Sequence, residues 1–386
     1  MKHERHYRST DGRTAKLSRF RVAPYLQILL GVVLLALTVG LLYHVVLPLL
    51  QKATDAHNHP AAVVAAATDA PTPTPTAAPE TQHALYTIDL KTAQHEIVIP
   101  EYQYAADVSV TGQTVCCAVG EYESGTIAFL RVSLYDTATA TRKLLALPMQ
   151  YKSIRFPCAN DRWIVYLDAT ANGGGRIMAY DRTAQSAVCL KPFYLGLPFL
   201  TLDGDNAAWI ERTGQTRDKL FVCDLNSGEI VTVAIFDNCA YGLSRPCLYD
   251  GKLLYVDPSG NTVRLTLATG ETETLSIEGN VHDPVMNDSY VAYLDSNHAA
   301  NGKLYVYQDG VSTEVAAGVV QFALGDDFVA YGRYDKNYVY FPADGTTFCT
   351  TRSDETAQFL TAGGSLLVWM DVTWRDKDVM EYMTIQ

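Results

Sequence analysis

The sequence predicts an all-β fold: a seven-bladed β-propeller of four-stranded antiparallel blades, preceded by one transmembrane helix and a Pro/Thr/Ala-rich linker. Three observations carry this. A short apolar–aromatic pattern recurs through residues 85–386, residues 26–47 contain no Asp, Glu, Lys or Arg, and an alternating Thr-Pro stretch separates the two.

Composition sets the bounds. The 386 residues allow two or three ordinary domains or one large repeat domain. With 48% hydrophobic and 19% charged residues the chain can bury a core, which excludes global disorder. A net charge of −12 argues against nucleic acid as a partner. The charge is uneven: residues 1–24 hold seven Lys/Arg against Glu4 and Asp11, and residues 53–386 hold 22 basic against 40 acidic side chains.

The domain order follows from this. Residues 1–24 form a basic cytoplasmic tail, and residues 25–50 hold a signal-anchor. The 22 residues of its span, at ~1.5 Å each, reach ~33 Å, enough for a ~30 Å hydrocarbon core. A cleavable leader would carry a shorter apolar stretch of about 7–15 residues. A cut near Ala65-Ala66-Ala67 is the competing reading. The basic flank stays inside, so the acidic bulk lies outside the cell membrane, extracellular or periplasmic, in a single-pass topology. The bilayer is thus one partner, through residues 26–47, with His44 interfacial. Residues 51–84 are an extracytoplasmic linker whose Pro residues resist helix and sheet. His57 and His59 in this tail make a poor metal site.

Residues 85–386 repeat one unit. An apolar run, an aromatic and an apolar residue, often followed by an acid, place Tyr166, Trp209, Tyr255, Tyr293, Tyr331 and Trp369 in one column. Cys117 holds the same place in a weaker copy. Pro157, Pro198, Pro246 and Pro284 stand nine to eleven residues before the aromatic, with turn residues such as Asn160-Asp161 and Asp250-Gly251 between them. Third and fourth apolar runs follow. Four strands per unit at spacings of 38–49 residues is a propeller pattern. A lone blade has two open faces, so blades stack around an axis, and the aromatic column becomes core between them. Residues 84–99 look like the last two strands of a blade, and the chain ends on the first three. The N-terminal segment is therefore expected to complete blade 7, joining as three plus one or two plus two strands.

The runs PCLYDGKLLYVDPSGNTVRLTLATGE, PVMNDSYVAYLDSNHAANGKLYVYQDG and TLDGDNAAWIERTGQTRDKLFVCDLNSGE resemble blades of TolB-like propellers. That family includes the periplasmic propeller of the Tol–Pal system and the propeller caps of prolyl oligopeptidases. The resemblance covers about residues 100–386 and implies blade architecture. The family's Ser-Pro-Asp-Gly is missing, and no partner-binding residue carries over.

Chemistry is sparse. There is no G-x-S-x-G and no room for a hydrolase domain after blade 7, so the oligopeptidase activity of relatives is not expected. No P-loop, H-E-x-x-H or EF-hand loop occurs, and no cofactor or metal is expected. The glycines of residues 172–176 read as a hairpin loop. The acids Asp168, Glu211, Asp257, Asp295 and Asp371 read as caps of turn N–H groups. Eight Cys fit no zinc spacing and read mostly as small core hydrophobes, with Cys239 and Cys247 the one pair considered for a disulfide. Function is sought in loops. The second-to-third-strand loops (Tyr122, Arg217, His298, Trp374, Arg375) share one face with the inter-blade connections (Arg155, Tyr194, Tyr241, Arg245, His282). Exposed aromatics with Arg are typical of recognition surfaces, so Arg155, Tyr194, Tyr241, Arg245, His282 and Trp374 are the candidate ligand-binding residues. The expectation is a membrane-tethered bacterial binding or scaffold module without catalysis, for a protein, peptide or cell-envelope ligand. The alternative is a propeller enzyme acting on a carbohydrate or lactone at the axial mouth. A paired acid set at the mouth would favour the enzyme; a broad aromatic patch would favour binding.

Overall fold

The computed structural model describes residues 94–100, 103–123, 125–237, 244–296, 301–352, 355–373 and 379–385. The expected span, the linker, Cys239, Tyr241, His298, Trp374 and Arg375 lie outside them. No helix among the described residues is long and apolar enough to cross a membrane.

The described chain forms 28 strands in seven four-stranded antiparallel sheets. Six are meanders of consecutive strands: blades 1 to 6 cover residues 103–145, 154–193, 195–237, 247–274, 281–319 and 321–349. First strands of neighbouring blades pack on one another and so surround the axis.

The second strands explain the apolar runs. Trp163–Ala169 is buried along its whole length because its two faces meet different neighbours. Trp163, Val165 and Leu167 pack with Trp209 of blade 3, whereas Ile164 and Tyr166 pack with Cys116 and Val132 of blade 1. A strand covered on both sides cannot alternate apolar with polar. Seven clusters of buried apolar side chains result, one at each blade–blade interface. Five of the six aromatics in the column are buried, and Cys117 takes their place in blade 1. Tyr255 is only half-buried. Its blade is the smallest, with first and fourth strands of three residues, Cys247–Tyr249 and Thr272–Thr274.

Ring closure is three plus one. Gln94–Val98 pairs antiparallel with the third strand of blade 7, Val379–Thr384, giving the order 357–363, 366–371, 379–384, 94–98. Ile97 and Ile99 enter the core between blades 7 and 1 with Val115, Cys117 and Val119. Residues 84–93, which include the other candidate strand, lie outside the described residues.

Candidate binding surface on the loop face

Each blade runs down, up, down and up, so its second-to-third loop and the connection to the next blade fall at one end. The first strands begin at that end, and most carry a register shift just inside it: Ala106/Ser109, Arg155/Cys158, Leu195/Phe199, His282/Val285 and Gln358/Thr361. In four of them a non-glycine residue adopts positive φ: Asp107 at 54°, Phe156 at 46°, Asp283 at 50° and Phe359 at 55°. Such bulges bend a strand and re-aim a side chain, and left-handed non-glycine residues gather at functional sites.

Two of these bulges form acid–arginine clasps. Arg155 donates from Nε to Asp107 Oδ2 at 2.5 Å and from Nη2 to Oδ1 at 3.2 Å, and the Phe156 N–H donates to Oδ2 at 3.1 Å. The Asp107 hydrogen bonds hold Arg155 above its ordinary value against its partial burial. Its guanidinium also lies over the Phe156 and Phe129 rings. On the far side, the Arg245 N–H donates to Asp283 Oδ1 at 2.7 Å, with Nε 3.6 Å from Oδ2, and the Asp283 N–H donates to Ser244 Oγ at 2.7 Å. Burial pushes the Asp283 carboxyl up, but His282 and Arg245 outweigh it and hold it below the usual range. His282 Nδ1 stands 3.2 Å from Asp283 Oδ1 without hydrogen-bond alignment. The Arg245 guanidinium covers Phe199 at 4.6 Å, and Phe199 meets Phe156 edge-on at 6.4 Å. A continuous line of side chains thus runs from blade 1 to blade 5.

Of the six candidates, the structure brings Arg155, Arg245 and His282 onto this line. His282 is only 7% exposed and offers no surface of its own. Tyr194 stands out at 77% exposure. Tyr241 and Trp374 lie outside the described residues. Sequence reading missed Asp107, Phe156, Phe199 and Asp283, and also the exposed Tyr151, Tyr334 (81%) and Phe359 (63%). A signal existed: Phe156, Arg245 and Asp283 each immediately precede a proline of the Pro column. Arg217 is tied to Asp237 at 2.6 Å.

Beside Tyr194 a groove of about 380 Å³ is floored by Phe199 and Ile210 and walled by Glu211, Arg212 and Asp218. Its carboxylates are held by cations, Glu211 by Lys191 and Asp218 by Arg212 at 3.1 Å. The other acids of the column cap backbone N–H groups, Asp257 and Asp371 in the loop that each opens, as expected, but Asp168 and Asp295 in the preceding inter-blade connection. Asp168 takes those of Gln150 and Tyr151, Asp257 those of Ser259 and Asn261, Asp295 that of Asn280, and Asp371 that of Thr373. Residues 170–174 are a hairpin loop. Seven described cysteines are free thiols. Burial pushes Cys117 up to about 12, so it is an unreactive core residue.

No protein-family model and no characterised sequence matches the chain. Among solved structures it is similar to the β-propeller domain of the Trilobed protease from Pyrococcus furiosus, at 12% identity and TM-score 0.56, over 74% of this chain and 94% of that one. That domain is described as having an open velcro topology, whereas here Gln94–Val98 pairs with Val379–Thr384. The acylaminoacyl peptidase of Pyrococcus horikoshii is similar at 12% identity and TM-score 0.52, over 70% of this chain. The match spans about half of that peptidase, at 49% of its length. These likenesses establish a propeller fold.

Proposed function

We propose that the chain is a membrane-tethered, extracytoplasmic scaffold whose loop face binds a protein or peptide of the cell envelope. One observation carries the reading: Tyr122, Tyr151, Tyr194, Tyr334 and Phe359, from the loop-face ends of several blades, are all exposed at the end where Arg155 and Arg245 are already oriented by carboxylates. Aromatic side chains give large contact area at low entropic cost, and fixed arginines add directional hydrogen bonds. The acids of the groove are neutralised by Lys191 and Arg212, which suits recognition over proton transfer. The uncharged span at residues 26–47, its basic flank and the likeness of the blade units to TolB-like propellers support the envelope location.

The test is a triple variant, Tyr194→Ser, Tyr334→Ser and Phe359→Ser, compared with wild type by affinity capture from native envelopes. The variant should melt like wild type and lose the proteins that wild type retains. Equal capture by both would refute the assignment of the loop face. A hydrolytic activity on glycans or lactones, lost in Glu211→Gln while the triple variant keeps it, would establish the enzyme reading instead.

A further inference from the structure

The groove beside Tyr194 is made by a mismatch inside blade 3. Leu195 stands opposite Arg212 and Phe199 opposite Ile210, so Gly196, Leu197 and Pro198 together face Glu211 alone. Pro198 brings no N–H, and Gly196 takes a φ of 76°, which lets the chain swing away from the second strand Asn206–Arg212. The excess residues open about 380 Å³. Ligand pockets run from about 300 to 1,000 Å³, so this one takes one or two side chains and excludes a folded segment. Leu195, Leu197, Phe199 and Ile210 give it an apolar floor.

Charged groups surround this floor, and most are committed to one another. Lys191 is paired with Glu211, Arg212 with Asp218 at 3.1 Å, and Arg217 with Asp237 at 2.6 Å. Arg245 differs. Its backbone N–H holds Asp283 Oδ1, but its guanidinium comes only within 3.6 Å of Oδ2 and donates no hydrogen bond to any described residue. His282 Nδ1, 3.2 Å from Oδ1, gives the same carboxylate a second polar neighbour. The Arg245 side chain is 59% exposed and lies over the Phe199 ring at 4.6 Å. An arginine fork with its donors unused therefore stands at the edge of the apolar floor.

The two features select a ligand together. A planar guanidinium fork matches a carboxylate, and the floor takes an apolar side chain. In an extended peptide, neighbouring side chains point to opposite faces, and those two residues apart on one face are separated by about 6.4–6.8 Å. Here the guanidinium carbon and the Phe199 ring centre are 4.6 Å apart. An internal acid with an apolar neighbour spans them poorly. A C-terminal residue carries its carboxylate and its side chain on one Cα and presents both at once. The 22 basic against 40 acidic side chains of residues 53–386 disfavour anions at long range. Screening over about 8 Å at physiological salt leaves the decision to the local fork.

We propose that this groove captures the C-terminal residue of a partner peptide, with its free carboxylate on the Arg245 guanidinium and its aliphatic or aromatic side chain on Leu197, Phe199 and Ile210. This selectivity rests on the loop face being a protein- or peptide-binding surface, and it specifies what that surface selects: a free, apolar C-terminus. Tyr194, 77% exposed, offers its ring to the residues that precede the terminus. An amide in place of the carboxylate keeps one acceptor oxygen and loses the charge, so Arg245 carries the discrimination.

The experiment uses the full chain in detergent and three peptides: Gly-Ser-Gly-Ser-Leu with a free C-terminus, its C-terminal amide, and Gly-Ser-Gly-Ser-Ser. Each is titrated to about 1 mM and followed by saturation-transfer NMR. The free leucine acid should bind at least about tenfold more tightly than the amide, as a charge-assisted hydrogen bond requires, and at least about tenfold more tightly than the serine-ended peptide. Arg245→Gln, at an exposed position, should bring acid and amide to equal affinity and keep the preference for leucine over serine. Equal binding of acid and amide by wild type overturns the proposal. An acid preference that survives Arg245→Gln places the carboxylate elsewhere and overturns it too. No binding of either leucine peptide at about 1 mM also overturns it; envelope proteins captured by wild type and lost by the triple variant would then leave the loop-face reading standing. That reading fails separately, by equal capture in wild type and triple variant. If Arg245→Gln fails to fold, the acid-to-amide ratio of wild type decides.

Discussion

Removing the ring-closing strand should cost the propeller a large part of its stability. The comparison is between a chain beginning at residue 54, which keeps Gln94–Val98, and one beginning at residue 100, which loses it. The deletion removes five registered pairs with Val379–Thr384 and takes away Ile97 and Ile99, which are 1% and 0% exposed. A ladder hydrogen bond contributes about 0.5–1.5 kcal/mol net, while ordering each residue costs about 1–2 kcal/mol, so these two contributions roughly cancel. Side-chain burial then decides. At about 1.5–3 kcal/mol for each isoleucine, the loss is about 3–6 kcal/mol, before counting Met380 and Tyr382, which lose their cover. Typical total stabilities are about 5–15 kcal/mol, so the shorter chain should sit near its unfolding threshold. It should also present Val379–Thr384 as an open edge, which invites association. Urea unfolding followed by tryptophan fluorescence, with size-exclusion chromatography, measures both effects. Ile97→Ala in the longer chain is the milder control, expected to cost about 2–5 kcal/mol. Equal urea midpoints and a monomeric state for the two chains would refute the closing role of this strand.

Two further predictions concern the core and the clasps. Tyr293 is 1% exposed, stacks on Tyr305 at 5.5 Å and hydrogen-bonds Ser312 Oγ at 2.9 Å. Tyr293→Ala should therefore cost about 3–5 kcal/mol and Tyr293→Phe only about 1 kcal/mol. Tyr255→Ala, from the half-buried member of the column, should cost less than Tyr293→Ala, and thermal melts showing the reverse order would contradict the packing argument. Asp283 is held below its ordinary pKa in the folded state, so its contribution is present above the unfolded value of about 4 and is lost as pH falls through the folded value. Asp283→Asn should flatten the loss of stability between about pH 5 and pH 2 in urea titrations, and a slope equal to wild type would count against the clasp.

Blade number, strand order and the aromatic core were legible in the sequence because each depends on local periodicity. A middle strand buried on both faces must be apolar throughout, and its turns need residues that accept turn geometry, so Trp163–Ala169 and Val291–Asp295 announce themselves without their neighbours. The bulges of the loop face were harder to see. A bulge is an offset between two strands, so the left-handed positions of Asp107, Phe156, Asp283 and Phe359 appear only when the partner strand is in place. Tertiary structure alone decided the three-plus-one closure, because Gln94–Val98 resembles any outer strand until it meets Val379–Thr384 from the other end of the domain. It also decided the buried carboxylate cluster of Glu355, Asp371 and Glu381. Asp371 belongs to a visible column, but Glu355 stands in a connection and Glu381 in a third strand. Their meeting is fixed by the register of the third strand on the second within blade 7, which sets Glu381 opposite Trp369, and by the path of the connection that brings in Glu355.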